Sequence, residues 1–140
     1  MGHALYRRLA FAAAIPVLLA GATAAATVEI ELNKLEPRAD GCRAYLVFEH
    51  RGEHDYDGFT LDLVLFDNDG VISRRLAVDA APLRAGKTTV KVFDLEGLDC
   101  DSIQRVLLND LSACSVDGSP LPDCIDRVGT GSRAGAALVK

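Results

Sequence analysis

Residues 42–78 read CRAYLVFEHRGEHDYDGFTLDLVLFDNDGVISRRLAV, two alternating apolar runs separated by a polar loop and followed by a turn and a third run. In the first run Cys42, Ala44, Leu46 and Phe48 fall on one side and Arg43, Tyr45 and Glu49 on the other, the period of two of a half-buried strand. Phe59, Leu61, Leu63 and Leu65 repeat the pattern. Their opposite side starts with Thr60 and Asp62 but ends with Val64 and Phe66, so this run is expected mid-sheet, more deeply buried toward its end. Asp67-Asn68-Asp69-Gly70 supplies residues that tolerate positive φ between two apolar pairs, which reads as the turn of a β-hairpin.

Working outward, Val28, Ile30 and Leu32 alternate with Glu29, Glu31 and Asn33 in a first strand that ends near Pro37, and Pro37-Arg38-Ala39-Asp40-Gly41 turns the chain into Cys42. Thr88, Val90 and Val92 alternate with Thr89 and Lys91 in a further strand, closed by an acidic turn over residues 94–101. In residues 102–111, Ile103, Val106, Leu107 and Leu111 would also suit one face of a helix, but every neighbouring element is a strand, and a strand is expected here too. A last strand opens at residues 125–128. Its continuation through three glycines to Lys140 is weakly specified, with fraying expected at the end. About seven short strands, with turn signals about 8 to 12 residues apart, point to an all-β fold, an immunoglobulin-like antiparallel β-sandwich.

Residues 1–26 hold no acid, carry the pair Arg7-Arg8, continue through an apolar run over residues 9–20 and finish in Ala24-Ala25-Ala26. This is the pattern of a cleavable signal peptide with an Ala-x-Ala site; the run is short for a membrane span and Pro16 interrupts it. The paired arginines admit twin-arginine export beside the general secretory route, and both stay open. Cleavage leaves residues 27–140 as one β-sandwich domain in a periplasmic or secreted setting. Arg7 and Arg8 leave with the signal and no acid does, so the formal charge moves from −5 to −7. Such a surface repels nucleic-acid phosphates and anionic lipid, which excludes nucleic-acid binding and leaves no membrane anchor after cleavage.

Cys42, Cys100, Cys114 and Cys124 all lie in the mature segment, and an exported chain meets an oxidising compartment, so two disulfides are expected. Three connectivities exist. With sandwich strands numbered up and down, the second and sixth run the same way and begin at Cys42 and Cys100, which favours that pair, with Cys114–Cys124 as a local clip across the last hairpin. No close-set Cys-x-x-Cys suggests a zinc or redox site.

His50-Arg51-Gly52-Glu53-His54 spells His-x-x-Glu-His, a zinc-peptidase pattern that needs both histidines on one helical face. Gly52 sits mid-motif and strands flank it, so His50, Glu53 and His54 are expected in a solvated loop, with metal binding there as the alternative. Asp67-Asn68-Asp69-Gly70 lacks the sixth-position glycine and terminal glutamate of a calcium loop. Asp94, Glu96, Asp99 and Asp101 read as a solvated acidic rim, with an extracellular-type calcium site as the competing use. No Gly-x-Ser-x-Gly is present, neither His50 nor His54 has an identifiable nucleophile partner, and Gly129-Thr130-Gly131-Ser132 lacks the lysine and spacing of a phosphate loop.

The succession Val28-Glu29-Ile30-Glu31-Leu32, Gly41-Cys42-Arg43-Ala44-Tyr45-Leu46-Val47-Phe48, Leu61-Asp62-Leu63-Val64-Leu65-Phe66-Asp67 and Arg105-Val106-Leu107-Leu108-Asn109-Asp110 resembles a family of small exported bacterial proteins. They are labelled Tat pathway signal sequence domain proteins. The resemblance spans nearly the whole mature chain and implies export; it brings no catalytic residue. The expectation is thus an exported, non-catalytic, cofactor-free sandwich that binds an envelope or periplasmic protein through loops or a strand edge. The alternative is a metal-binding exported protein, calcium-stabilised or a zinc hydrolase using His50, Glu53 and His54. A small-molecule binder with its site in the loops comes third.

Overall fold

A computed structural model describes residues 26–140. The signal-peptide reading of residues 1–26 lies, Ala26 apart, outside the described residues. The strands are β1 (Val28–Arg38), β2 (Gly41–His50), β3 (Gly58–Phe66), β4 (Ile72–Asp79), β5 (Thr88–Glu96), β6 (Arg105–Val116), β7 (Ser119–Pro120), β8 (Val128–Ser132) and β9 (Ala137–Val139). Two 3-10 turns, Cys100–Ser102 and Cys124–Arg127, interrupt them, and no α-helix occurs among the described residues.

The strands form two sheets, one in the order β5-β2-β1-β8 and the other β4-β3-β6-β7, with β9 also on β6. The alternation read from the sequence is the alternation observed. Val28, Ile30 and Leu32 of β1, Cys42, Ala44, Leu46 and Phe48 of β2, and Phe59, Leu61, Leu63 and Leu65 of β3 are buried in one cluster shared by both sheets. Phe48 and Phe59 meet edge to face at 6.3 Å between ring centroids, one ring from each sheet. Such a pair adds about 1 kcal/mol to the area it buries. β3 lies between β4 and β6, and Val64 on its outer side is also buried, as its apolar run requires.

The hairpin turn is built by Asp67. Its Oδ1 accepts the N–H groups of Asp69 and Val71, at 3.0 and 2.9 Å, while Gly70 takes φ +77°. Both disulfides join the expected partners. Cys42–Cys100 ties β2 to the turn before β6, and Cys114–Cys124 ties β6 to the second 3-10 turn rather than across a simple hairpin. A pair of bridges suits an oxidising compartment.

The C-terminal segment departs from the expectation. The chain has nine strands, not about seven, and two of its pairings are parallel: β8 on β1 and β9 on β6. After β8 the chain leaves the first sheet and joins the second, and it does not fray, because Ala136 and Leu138 are buried. Of the three glycines in this stretch, Gly129 alone sits against a neighbouring side chain. Gly129 faces Glu29 across the ladder, and a Cβ there would fall 2.2 Å from Glu29 Oε2.

β6 is a strand, and its helix-like spacing has a cause. Its register against β3 slips twice, at Asn109 and at Ser112, so the residues opposite the buried Leu65, Leu63, Leu61 and Phe59 are Val106, Leu108, Leu111 and Cys114. Each bulge adds one residue to the period. Spacings of two, three and three imitate a helix face.

Candidate functional site

The His50 motif is not a helix, and the solvated-loop expectation holds for Glu53 and His54 but not for His50. His50 is the last residue of β2 and only 3% exposed, so its placement in solvent is corrected. Its Nδ1 accepts the Gly52 N–H at 3.1 Å and its Nε2 lies 2.7 Å from the His54 carbonyl, to which it donates as the neutral Nε2–H tautomer. Both ring nitrogens are thus engaged by backbone. Glu53 and His54 are exposed. The loop closes because Tyr56 turns inward, with its ring 4.9 Å from that of His50 and 5.2 Å from that of Phe59. Tyr56 also exchanges two backbone hydrogen bonds with Leu83, and Asp55 accepts the Ala85 N–H. At the loop's end Asp57 accepts Ser115 Oγ–H and the Gly118 N–H, both at 2.6 Å, which hold its carboxyl below the usual range. The single aromatic within a polar run is the sequence signal for this inward fold.

The acidic rim is dispersed. Arg43 grips Asp94 through two hydrogen bonds, at 2.7 and 2.9 Å, and this guanidinium lowers the Asp94 pKa. Glu96 ends β5, and the Asp101 carbonyl accepts Asn68 Nδ2. Gly129-Thr130-Gly131-Ser132 is the body of β8. Among the described residues no group of three or more His, Cys, Asp or Glu side chains is placed to hold a metal ion.

Strand edges differ sharply in how they are treated. β5 closes the first sheet and β4 the second. Each carries a cation on its inward side. Lys91 stands opposite the buried Leu46 and reaches the Ala81 carbonyl at 3.5 Å; Arg74 stands opposite the buried Leu65 and donates to the Glu96 carbonyl at 2.7 Å. An inward charge makes an edge a poor template for another strand, since adding one would bury the cation. β8, the other edge of the first sheet, is only five residues long, and Lys140 Nζ hydrogen-bonds the Val128 carbonyl at its start.

β6 has no such guard along its middle. On the side away from β3, β9 pairs with Arg105, Val106 and Leu107, and β7 with Ser115 and Val116. Between them no strand pairs on this side with residues 109–113, a run of about 17 Å at strand rise; Leu108 is buried, and the Cys114 carbonyl already accepts the Leu121 N–H at 2.9 Å. Beside it lies a groove of about 640 Å³. Leu111, Ala113, Leu121, Ile125 and the Cys114–Cys124 bridge make its apolar surface, with Asp110 and Asp123 among the lining residues and no Lys or Arg.

The first of the two bulges, at Asn109, is pinned from the outer face of the second sheet. Asp62 accepts Arg75 through two hydrogen bonds, at 2.8 and 2.7 Å, and Asn109 Nδ2 at 2.7 Å. These donors, Arg75 first, pull the Asp62 pKa from 3.8 down to about 2. One residue on, Asp110 Oδ1 accepts the Leu111 N–H at 2.8 Å. A pinned bulge holds a bent, pre-shaped edge.

No family model, curated protein or solved structure matches this chain.

Proposed function

We propose that this chain is an exported accessory protein that acts without catalysis, by binding a protein partner in the periplasm or outside the cell. The observation that carries the reading is the unpaired middle of β6, flanked by short strands and beside a groove that sets Leu111, Leu121 and Ile125 among Asp110, Asp123 and two serines, while β4 and β5 hold inward cations. The two bridges support an oxidising destination, and the resemblance to small exported bacterial proteins supports export. An immunoglobulin-like reading of the sandwich is supported by the β1-β2-β5 neighbours in one sheet and β4-β3-β6 in the other. Connectivity of that kind carries no activity by itself. The non-catalytic reading is supported by the engagement of both His50 ring nitrogens by backbone.

Affinity capture with in-cell crosslinking on the mature, disulfide-bonded protein tests the reading. A partner protein recovered in stoichiometric amount, reproducibly and with unfolded-protein controls empty, is the expected result. Turnover of an ester, peptide or glycoside panel by the purified chain, or repeated failure to crosslink anything, would overturn it.

A further inference from the structure

The following rests on the partner-binding reading and names its site and the chemistry of its ligand. We infer that residues 109–113 of β6 take up an extended segment of the partner as an added strand, and that this segment alternates apolar with basic residues.

Backbone pairing comes first. A strand edge presents N–H and C=O groups at regular spacing, and an extended segment satisfies them whatever its sequence. Along β6 this service is supplied at one end by β9 and at the other by β7, so an added strand continues a course the chain has already begun at both ends. The bulges at Asn109 and Ser112 break the ladder, so the added strand is short and follows a bent path.

Side chains then select. Alternate residues of the incoming segment point toward the groove, where Leu111, Leu121 and Ile125 are half-buried and gain cover. The intervening residues meet the rim at Asp110 and Asp123. Neither carboxylate has a salt-bridge partner among the described residues. Lys140, which hydrogen-bonds the Ile125 carbonyl, is engaged by backbone. Basic residues on the partner complete these two acids and are drawn in by the chain's acidic balance. A second copy of the chain is a poor occupant, because self-pairing at this edge brings like-charged rims together.

The test titrates the isotope-labelled, disulfide-bonded protein with an acetylated, amidated seven-residue peptide alternating Val with Lys and Arg, and with the same peptide carrying Glu at every basic position. Saturable amide shifts and slowed hydrogen exchange confined to residues 109–113 and the groove are expected for the basic peptide, weakening as salt rises, with none for the acidic one. The double variant Asp110→Asn, Asp123→Asn retains the Asp110 acceptor oxygen and a residue type that tolerates the left-handed φ of +57° at position 123. It should melt like the parent and bind the basic peptide about tenfold more weakly, the combined effect of two partly screened rim charges. Shifts mapping to β4 or β5, equal binding of both peptides, no binding, or a concentration-dependent dimer through this edge would each overturn the inference. If crosslinking recovers a partner whose binding the double variant leaves unchanged, the edge is wrong and the partner-binding reading stands. If neither peptide nor partner binds, both fall.

Discussion

Removing the two disulfides one at a time should cost unequal amounts, and the structure sets the ratio. The Cys42–Cys100 bridge spans 58 residues of sequence and Cys114–Cys124 spans 10. Loop-closure entropy then assigns about 4.2 kcal/mol to the first and about 2.7 kcal/mol to the second at 25 °C. Each bridge joins a core cysteine, Cys42 or Cys124, to a half-buried one, Cys100 or Cys114, so truncating either pair to Ala also removes packed sulfur, worth about 1 kcal/mol more. The long bridge joins a strand of one sheet to the entry of the other, whereas the short one ties β6 to a neighbouring turn. Over residues 26–140 the unfolding entropy is about 240 cal/mol/K, or about 4 °C of melting temperature per kcal/mol. Cys42→Ala with Cys100→Ala should therefore lower the melting temperature by about 20 °C, and Cys114→Ala with Cys124→Ala by about 15 °C. The chain contains no Trp, so unfolding is followed by far-UV circular dichroism in heat and in urea. Equal losses, or a larger loss from the short bridge, would refute the loop-closure account and place the stabilisation in native-state packing instead.

Four further outcomes follow from named contacts. Because the Asp62 pKa is lowered from 3.8 to about 2, its ionised form adds stability that is complete above about pH 4 and disappears between about pH 4 and 2; the urea midpoint of Asp62→Asn should fall below the parent's at pH 6 and converge with it by pH 2, and a constant gap would count against the ion pair. Gly41→Ala would put a Cβ 2.2 Å from the Leu95 carbonyl oxygen and should cost about 1–3 kcal/mol, whereas Gly131→Ala meets nothing within 4 Å and should stay within about 0.5 kcal/mol in the same urea series. His50→Phe leaves the Gly52 N–H and the His54 carbonyl without their partner and should cost about 2 kcal/mol by urea unfolding; an unchanged midpoint would mean that water replaces the ring freely. Calcium, zinc or a chelator should leave the melting temperature unmoved, and a rise on adding either ion would revive the metal-binding alternative.

What could be read in the sequence was whatever a single strand records about its own two faces. Cys42 to Phe48 and Phe59 to Leu65 alternate cleanly because each has one side in the common core, and the Asp67 turn is local chemistry. The disulfide pairing was reachable because strand direction alone puts Cys42 and Cys100 at one end of the sandwich. Features that depend on two strands at once were not legible. The bulges in β6 showed only as a blurred period, since a slipped register changes which residues face inward without changing residue type. Gly129 looked like a weak strand until Glu29 was placed beside it by a parallel pairing a hundred residues distant. His50 looked exposed because its neighbours are polar, while its burial comes from Tyr56 folding back over it.

The unpaired run of β6 belongs to the same class, and it is the most consequential. An edge is defined by which strand fails to arrive, and no residue in 109–113 announces that β7 stops after two residues or that β9 pairs with only the first three of β6. The sequence does record how the chain treats its other edges: Arg74 and Lys91 stand on the inward faces of β4 and β5, opposite the buried Leu65 and Leu46, where a charge makes each strand a poor template for another. A chain that guards β4 and β5 with inward cations and leaves β6 lined by Leu111, Leu121 and Ile125 distinguishes the edges it closes from the one it leaves open. That contrast, more than the groove itself, is the reason to place the partner there.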